Sequence, residues 1–511
     1  MQIMHCLKFM RRKFIVLSLS ILGILPVFAQ DNNFTTNQLS LADCISLALE
    51  HNFDVQIAKI NPEISRYSLN MAYASYEPSF YFSAQQSYNK MEGSSDISTY
   101  TPPPNETWRE AFQSGISGLA PWGLRYDLSG SVNRSSGTRP DMFGNIVDRG
   151  FEYNSDAAIT LSQPLLKNFW IDQPRMTIQV NKRNLKISQL AFQQQVMTTI
   201  TSVEQAYYDL IYAMENVKVQ EKALQLAEEL LAENKKRVQV GAMAPLDEKQ
   251  AESQVASSKA SLLISLQTLS NQQNALKKLI SEEFLKWKNV FIQPTEQLNA
   301  IPMAFSLTDS WNKGLTQRPD IVQMRTELEK RDIQIKYYKN QLFPQLDLRG
   351  SYGRSGVDRT LGGALDDINV ERDPHFSYGI VLNIPLGNTT ARNNYKSARA
   401  QRQQYLLQLK QLEQNIMVAI DDAIKQAQTS LQRVEATKQA REYAEAALKA
   451  EQKKLESGKS TSFVVLQLQR DLTSARSEEI RALADYNKAL AQLSLVEGST
   501  LERHNIKLDF K

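Results

Sequence analysis

The sequence predicts an α+β membrane protein built twice over, with short β-strands set between unusually long helices. Three observations carry that prediction. The second half of the chain repeats the plan of the first, the period-two stretches have the length of tilted membrane strands, and the helical stretches run far beyond an ordinary core helix.

The chain opens with Lys8, Arg11, Arg12 and Lys13, followed by FIVLSLSILGIL and PVFAQ. A basic start, an apolar run and a small residue before the break read as a signal peptide over residues 1–29, cut after Ala29, so the mature chain is expected to leave the cytoplasm. As a spanning helix the run is short, and Gly23 and Pro26 interrupt it. No later segment offers 18 uninterrupted apolar residues, so any passage through a membrane falls to strands.

The repeat fixes the order of the elements. SLADCISLALEHNFDVQIA from Ser40 resembles SLTDSWNKGLTQRPDIVQM from Ser306, and Pro78 in YEPSFYF corresponds to Pro344 in LFPQLDL. AITLSQPLL with Pro164 corresponds to IVLNIPLG with Pro385, and Gly241 in VGAMAPLDEKQ to Gly458 in SGKSTSFVVLQ. The first repeat takes residues 30–302 and the second 303–502, with a tail over 503–511.

Each repeat starts with an amphipathic helix, over 40–76 and 306–341, with Asp43 and Asp309 near the helix N-termini. Pro78 and Pro344 end these helices, because a proline disfavours helix at the residue before it. Strands come next, over 79–165 and 345–386: SFYFSAQQSY, LRYDLSGSV, DAAITLSQPL, QLDLRGSYG and FSYGIVLNIPL alternate in polarity or nearly so. Between them TPPPNETW, SSGTRPDMFGN and VDRTLGGALDDINVERDP are polar and turn-rich, as outward-facing loops. The first repeat carries extra residues, roughly 92–150, which fit either a longer loop or an additional hairpin. A soluble sandwich would show the same alternation.

After Pro164 and Pro385 the period becomes helical, giving helical hairpins over 175–282 and 391–498. The first arm of each, 175–240 and 391–456, would be about 100 Å long at 1.5 Å per residue. Apolar residues run Phe192, Val196, Ile200, Val203, Tyr207, Ile211, Met214 in one arm and Leu409, Leu412, Ile416, Ile420, Ala423, Ala427, Leu431, Val434 in the other. That spacing follows eleven residues in three turns, which leaves helices nearly straight, as staves of a wide cylinder require. An ordinary antiparallel coiled-coil arm is the alternative. Open strand edges cannot face lipid, and one chain has too few strands for a barrel, so membrane strands here require several chains to share one.

Composition argues against catalysis. Cys6 lies in the signal, leaving Cys44 alone and no cysteine metal site, and His5, His51, His375 and His504 are scattered singly, as surface or loop histidines. There is no phosphate-binding loop, nucleophile elbow or metal-ligand cluster, so no cofactor and no enzyme are expected. A net charge of +4 is too weak to imply nucleic acid.

The duplicated plan, the SLADCISLALEHN opening, the QPLL and IPLG corners and the paired turns VGAMAPLDEKQAE and SGKSTSFVVLQLQ resemble the TolC-like outer membrane efflux proteins, over about Leu39 to Glu502. The resemblance implies a homotrimer: a twelve-stranded transmembrane β-barrel in outer-membrane lipid, continued by a long periplasmic α-helical barrel. It also implies a passive exit duct for efflux or type I secretion, working with a periplasmic adaptor (membrane fusion) protein and an inner-membrane proton-driven or ATP-driven transporter. The competing reading is a soluble periplasmic coiled-coil scaffold or adaptor without a pore.

The resemblance also suggests site residues. The hairpin turns, with Gly241, Pro245, Gly458 and Ser460, would form the periplasmic entrance where an adaptor docks. The family's two entrance aspartates would fall at Val464 and Gln467, so the chain departs from the pattern there. Rings of apolar and amide groups at that point would close by dewetting. Asp247 falls where the family places a latch residue, and with Glu248 it would give the mouth negative charge; both also suit the first turn of a helix after Pro245. Pro164 and Pro385 mark the strand-to-helix corners. Trp108, Trp122, Tyr126, Phe143 and Trp170 are candidates for interfacial aromatic girdles, Trp170 foremost.

Overall fold

A computed structural model describes residues 35–91, 104–141, 143, 145–370 and 373–508; the expected signal peptide, with Cys6 and His5, lies outside them. Strand β1 (Thr35–Leu39) leads into helices α1 (Leu41–His51) and α2 (Phe53–Tyr73). Strands β2 (Ser79–Met91), β3 (Asn105–Leu119), β4 (Arg125–Pro140), β5 (Ile146–Asp148) and β6 (Glu152–Pro164) come after them. Then come α3 (Gln173–Gln239), α4 (Pro245–Ile280), α5 (Phe284–Trp287) and β7 (Val290–Pro294). The order repeats with α6 (Leu307–Gln317), α7 (Pro319–Asn340), β8 (Gln345–Asp358), α8 (Leu361–Asn369), β9 (Asp373–Asn383), α9 (Thr389–Glu456) and α10 (Ser462–Glu497), and α11 (Thr500–Arg503) closes it.

The opening helices are capped as their sequences require. Ser40 accepts from the amide of Asp43 while Asp43 bonds back to the Ser40 amide, a reciprocal cap, and Ser306 accepts from the amide of Asp309. Each of the two expected helices is broken once. Asn52 caps α2 through bonds from the amides of Asp54 and Val55, and Pro319 starts α7. Their buried faces pack on the long helices: Cys44, Ile45 and Ala48 of α1 join Ile200, Val203, Tyr207 and Leu210 of α3. In the second repeat, Ile321 of α7 joins Ile416, Ile420 and Ile424 of α9. A two-stranded parallel sheet, β1 with β7, seals the first core, and Gln273 bonds both polar groups of the Ile292 main chain.

The main sheet runs β2-β3-β4-β6-β8-β9, antiparallel throughout, with β5 paired to β4. The extra residues of the first repeat therefore build a hairpin, β3–β4, set within the sheet. A twelve-stranded barrel shared by three chains would take four strands from each, and this chain has six in line. The segment between β8 and β9, expected as loop, contains α8, whose N-cap Thr360 accepts from the Gly363 amide. His504, in the turn after α11, is half-buried, with its Nε2 3.2 Å from the fully buried carboxylate of Glu204.

Neighbouring helices run α2-α3-α7-α9 near the sheet and α4-α3-α10-α9 away from it. Helices α2 and α9 continue from β2 and β9. The chain is thus open along the same two edges at every level, β2 with α2 and α4 on one side and β9 with α9 on the other.

Candidate functional site

The sheet has two chemically distinct faces. Paired residues on one face form an unbroken row across all six strands: Phe80, Ile116, Leu128, Ile159, Tyr352 and Phe376, all of them exposed. The opposite face carries the row Ser83, Gln113, Ser131, Asp156, Ser355 and Asp373. His375 on that face lies 3.4 Å from Asp156, and Tyr81 donates to Asp127 at 3.3 Å. Such a sheet suits hydrocarbon on one side and water on the other, because an apolar face left in water costs about 25 cal/mol per Å2.

The expected aromatic residues divide between the two ends of this sheet. Trp122, in the β3–β4 turn, and Trp170, after the Pro164 corner, are exposed at the end that meets the helices. Trp170 stacks edge-on with Phe169 at 4.7 Å. Trp108 pairs with Tyr88 at 4.6 Å near the other end, beyond which Phe143 lies exposed, while Tyr126 sits inside the strands against Gly118. Pro164 closes β6, and the corner turns through Asn168, at φ 67°, into the α3 cap Asp172. Pro385 precedes Asn388, at φ 42°, which begins α9.

At the far end of the long helices the two hairpin turns are built alike. Gly241 and Gly458 adopt φ of 73° and 70°. The Gly241 amide bonds Val238 and the Ala242 amide bonds Arg237; likewise Gly458 bonds Leu455 and Lys459 bonds Lys454. This pair of bonds needs a left-handed residue, which glycine adopts without strain. Pro245 supplies the first residue of α4, and Ser460 donates to Glu451 at 2.6 Å. Bonds from Lys454 and then Ser460 hold the Glu451 carboxyl below the usual carboxylate range.

Beyond the second turn, α10 sorts its residues by face. Ser462, Val465, Leu466 and Gln469 are buried, whereas Val464 and Gln467 lie exposed on the other face. Asp471, one turn further along that stripe, is exposed too. Helical spacing alone, seven residues from Val464, would have found this carboxylate. Asp247 and Glu248 occupy the first turn of α4, half-exposed. Asp247 does take part in a link between the hairpins, but through its main-chain carbonyl: the buried Asn234 of α3 donates to it at 3.4 Å and to Ser462 Oγ at 2.6 Å. Sequence reading missed Asn234, a buried amide amid charged neighbours.

The seam between α3 and α10 continues in the same chemistry. Ser477 donates to Asn216 at 2.8 Å, Lys488 pairs with Asp209 at 2.8 Å, and Gln205 donates to Gln492 at 3.3 Å. A groove of about 260 Å3 runs beside it, lined by Gln220, Ser258, Gln469 and Ser477 among others. The α9–α10 hairpin combines an apolar cluster, Leu448, Leu455, Val465 and Leu466 with Leu230 of α3, with ion pairs of Arg433 to Glu478 and Asp485 and of Arg441 to Glu479. No group of three or more candidate metal-ligating residues occurs among the described residues.

Comparison with known proteins places this geometry. The sequence profile described as "Outer membrane efflux protein" matches residues 109–282 and 312–499. The fold is similar to the crystal structure of the Campylobacter jejuni CmeC outer membrane channel, at TM-score 0.64 and 18% identity over 90% of this chain and 86% of that one. It is also similar to the outer membrane protein VceC from Vibrio cholerae, at TM-score 0.62 and 18% identity over 90% and 96%. Nodulation protein T of Rhizobium leguminosarum bv. trifolii is 27% identical over 188 residues, which span 36% of this chain and 38% of that relative.

Proposed function

Because the chain belongs to the outer membrane efflux protein family, a family of transport proteins of the outer membrane, we propose that it is the channel subunit of a tripartite exit system, assembled as a homotrimer. The observation that carries this reading is the shared pair of open edges. A second copy beside the first sets β9 against β2 and α9 against α2 and α4, and repetition closes a ring. All six strands alternate in direction, so the new pair is antiparallel like the rest. The apolar rows then face lipid, the polar rows line water, and the long helices carry the duct into the periplasm.

In this reading the hairpin turns at Gly241, Pro245, Gly458 and Ser460 form the periplasmic mouth and the docking surface for an adaptor protein, which joins the duct to an inner-membrane transporter. Val464 and Gln467 narrow the mouth, with Asp247 and Glu248 beside it and Asp471 one turn inside. The polar α3–α10 seam suits a gate, since its bonds exchange for water at a net cost of only about 1 kcal/mol each. The cargo is small molecules or proteins chosen by the transporter, because a water-lined wall selects weakly.

Membrane fractionation tests the assignment. The mature protein is expected in the outer-membrane fraction as a detergent-dependent, heat-modifiable oligomer, and release with soluble periplasmic contents overturns it. For the mouth, Val464→Asp or Gln467→Asp is expected to raise cation selectivity and block by divalent cations in planar bilayers. No change in either property would place these side chains away from the lumen.

A further inference from the structure

Resting on the trimeric channel reading, we infer that the shared barrel has eighteen strands, and that the β3–β4 hairpin is part of its wall. The chain places six strands in one continuous sheet, and the inserted hairpin keeps the two-faced pattern of its neighbours up to the Glu110–Arg134 ion pair near its outer end. Phe112, Ile116, Leu128 and Val132 continue the apolar face, and Gln113, Ser129, Ser131 and Asn133 continue the polar one. Each of its strands is paired at length, β3 to β2 over Asn105–Ser117 and β4 to β6 over Arg125–Ser135.

The hairpin is also anchored at its inner end. The turn between β3 and β4 closes with the Ala120 amide donating to Leu124 and the Gly123 amide donating to Ala120, both at 2.8 Å. Gly123, at φ 93°, packs so tightly on the β6-to-α3 corner that a Cβ there would lie 2.9 Å from Arg175 Nη2. That guanidinium is itself fixed by Asn168 and Asp172, at 2.8 and 3.2 Å. A hairpin held at this corner and bonded on both sides is part of the wall.

Circumference argues the same way. At the junction each chain presents four helices, α2, α3, α7 and α9, so three chains stand twelve helices in a ring. At 8–10 Å between axes these need roughly 96–120 Å of perimeter. Eighteen strands spaced about 4.8 Å and tilted about 40° supply about 110 Å, whereas twelve supply about 75 Å. The six-stranded contribution matches the helical cylinder without a step inwards. The barrel would be about 36 Å across between strand axes, roughly 1.5 times a twelve-stranded one of equal tilt.

The test is single-particle imaging of the full mature chain in lipid nanodiscs, at a resolution that separates strands, with native mass spectrometry to count chains. Three chains and eighteen strands are expected. Three chains with a twelve-stranded wall and β3–β4 outside it overturn this inference while leaving the channel reading intact. A different number of chains overturns the strand number and the trimer together, and failure to assemble in lipid overturns the channel reading itself. Labelling gives an independent readout that needs no imaging. Gln113→Cys and Ser131→Cys are expected to react with a water-soluble maleimide, and Phe112→Cys and Leu128→Cys to resist it; the reverse, or equal reaction at all four, rejects the hairpin as wall.

Discussion

At the scale of single residues, the hairpin tips isolate one physical effect. A Cβ added at Gly458 meets nothing within 4 Å, so Gly458→Ala is charged only with the left-handed backbone, about 1–2 kcal/mol. Amide exchange at residues around the second turn should rise roughly tenfold while the rest of the chain is unchanged. Cys44 offers a second reading. Burial first, then the nearby carboxylates of Asp43 and Glu296, push its thiol up to about 12, so at pH 8 it is almost wholly protonated as well as covered. Peptide mapping after maleimide treatment should find Cys44 unmodified in the folded protein and fully modified in denaturant. Both glycines were legible in the sequence, because a turn that breaks two long helices demands them; Asn234 was not, since nothing local tells a buried amide from a solvated one.

At the scale of elements, legibility tracked the strength of the pattern. The long helices announced themselves through many repeats of three and four, and β2, β4 and β6 through alternation. Strand β3 was hidden because Trp108, Phe112 and Ile116 are spaced by four, which suits a helix as well as every second position of a strand face. The β1–β7 sheet was equally invisible: two five-residue strands joined from distant parts of the chain leave no periodic trace. The breaks at Asn52 and Pro319 carry local signals, an Asn N-cap and a Pro at the first helical position, which the continuous amphipathic pattern masked. The polar seam between α3 and α10 yields an expectation at this scale. Asn234→Ala removes the amide that links α3 to Ser462 and to Asp247, at about 1–3 kcal/mol for a buried polar group. If the seam gates the duct, that variant should show a higher open probability in planar bilayers, with Asn234→Asp only partly restoring closure because its carboxylate can accept from Ser462 but cannot donate.

At the scale of the whole molecule, the isolated chain is visibly incomplete. On α2 the residues Phe53, Ile57, Ile60, Ile64, Tyr67 and Met71 follow spacings of three and four along one face, and each is 52–67% exposed. In the proposed ring that stripe lies on the edge that meets α9 of the next copy, and no described residue of its own chain covers it. Ile57→Lys with Ile64→Lys should therefore leave each chain's own packing intact while abolishing the heat-modifiable oligomer, a loss that native mass spectrometry reads directly. An unchanged oligomer would place the subunit contact elsewhere. The repeat was visible in the sequence; the number of strands the chain contributes was not. In the proposed threefold ring the paired open edges also have a genetic consequence. In a cell carrying an altered and an unaltered copy of the gene, a chain damaged along β2, α2 or β9 is refused by the ring and the defect is recessive. A chain damaged only at its mouth is admitted, and random mixing into threefold rings leaves roughly one in eight wholly unaltered, so that defect is dominant.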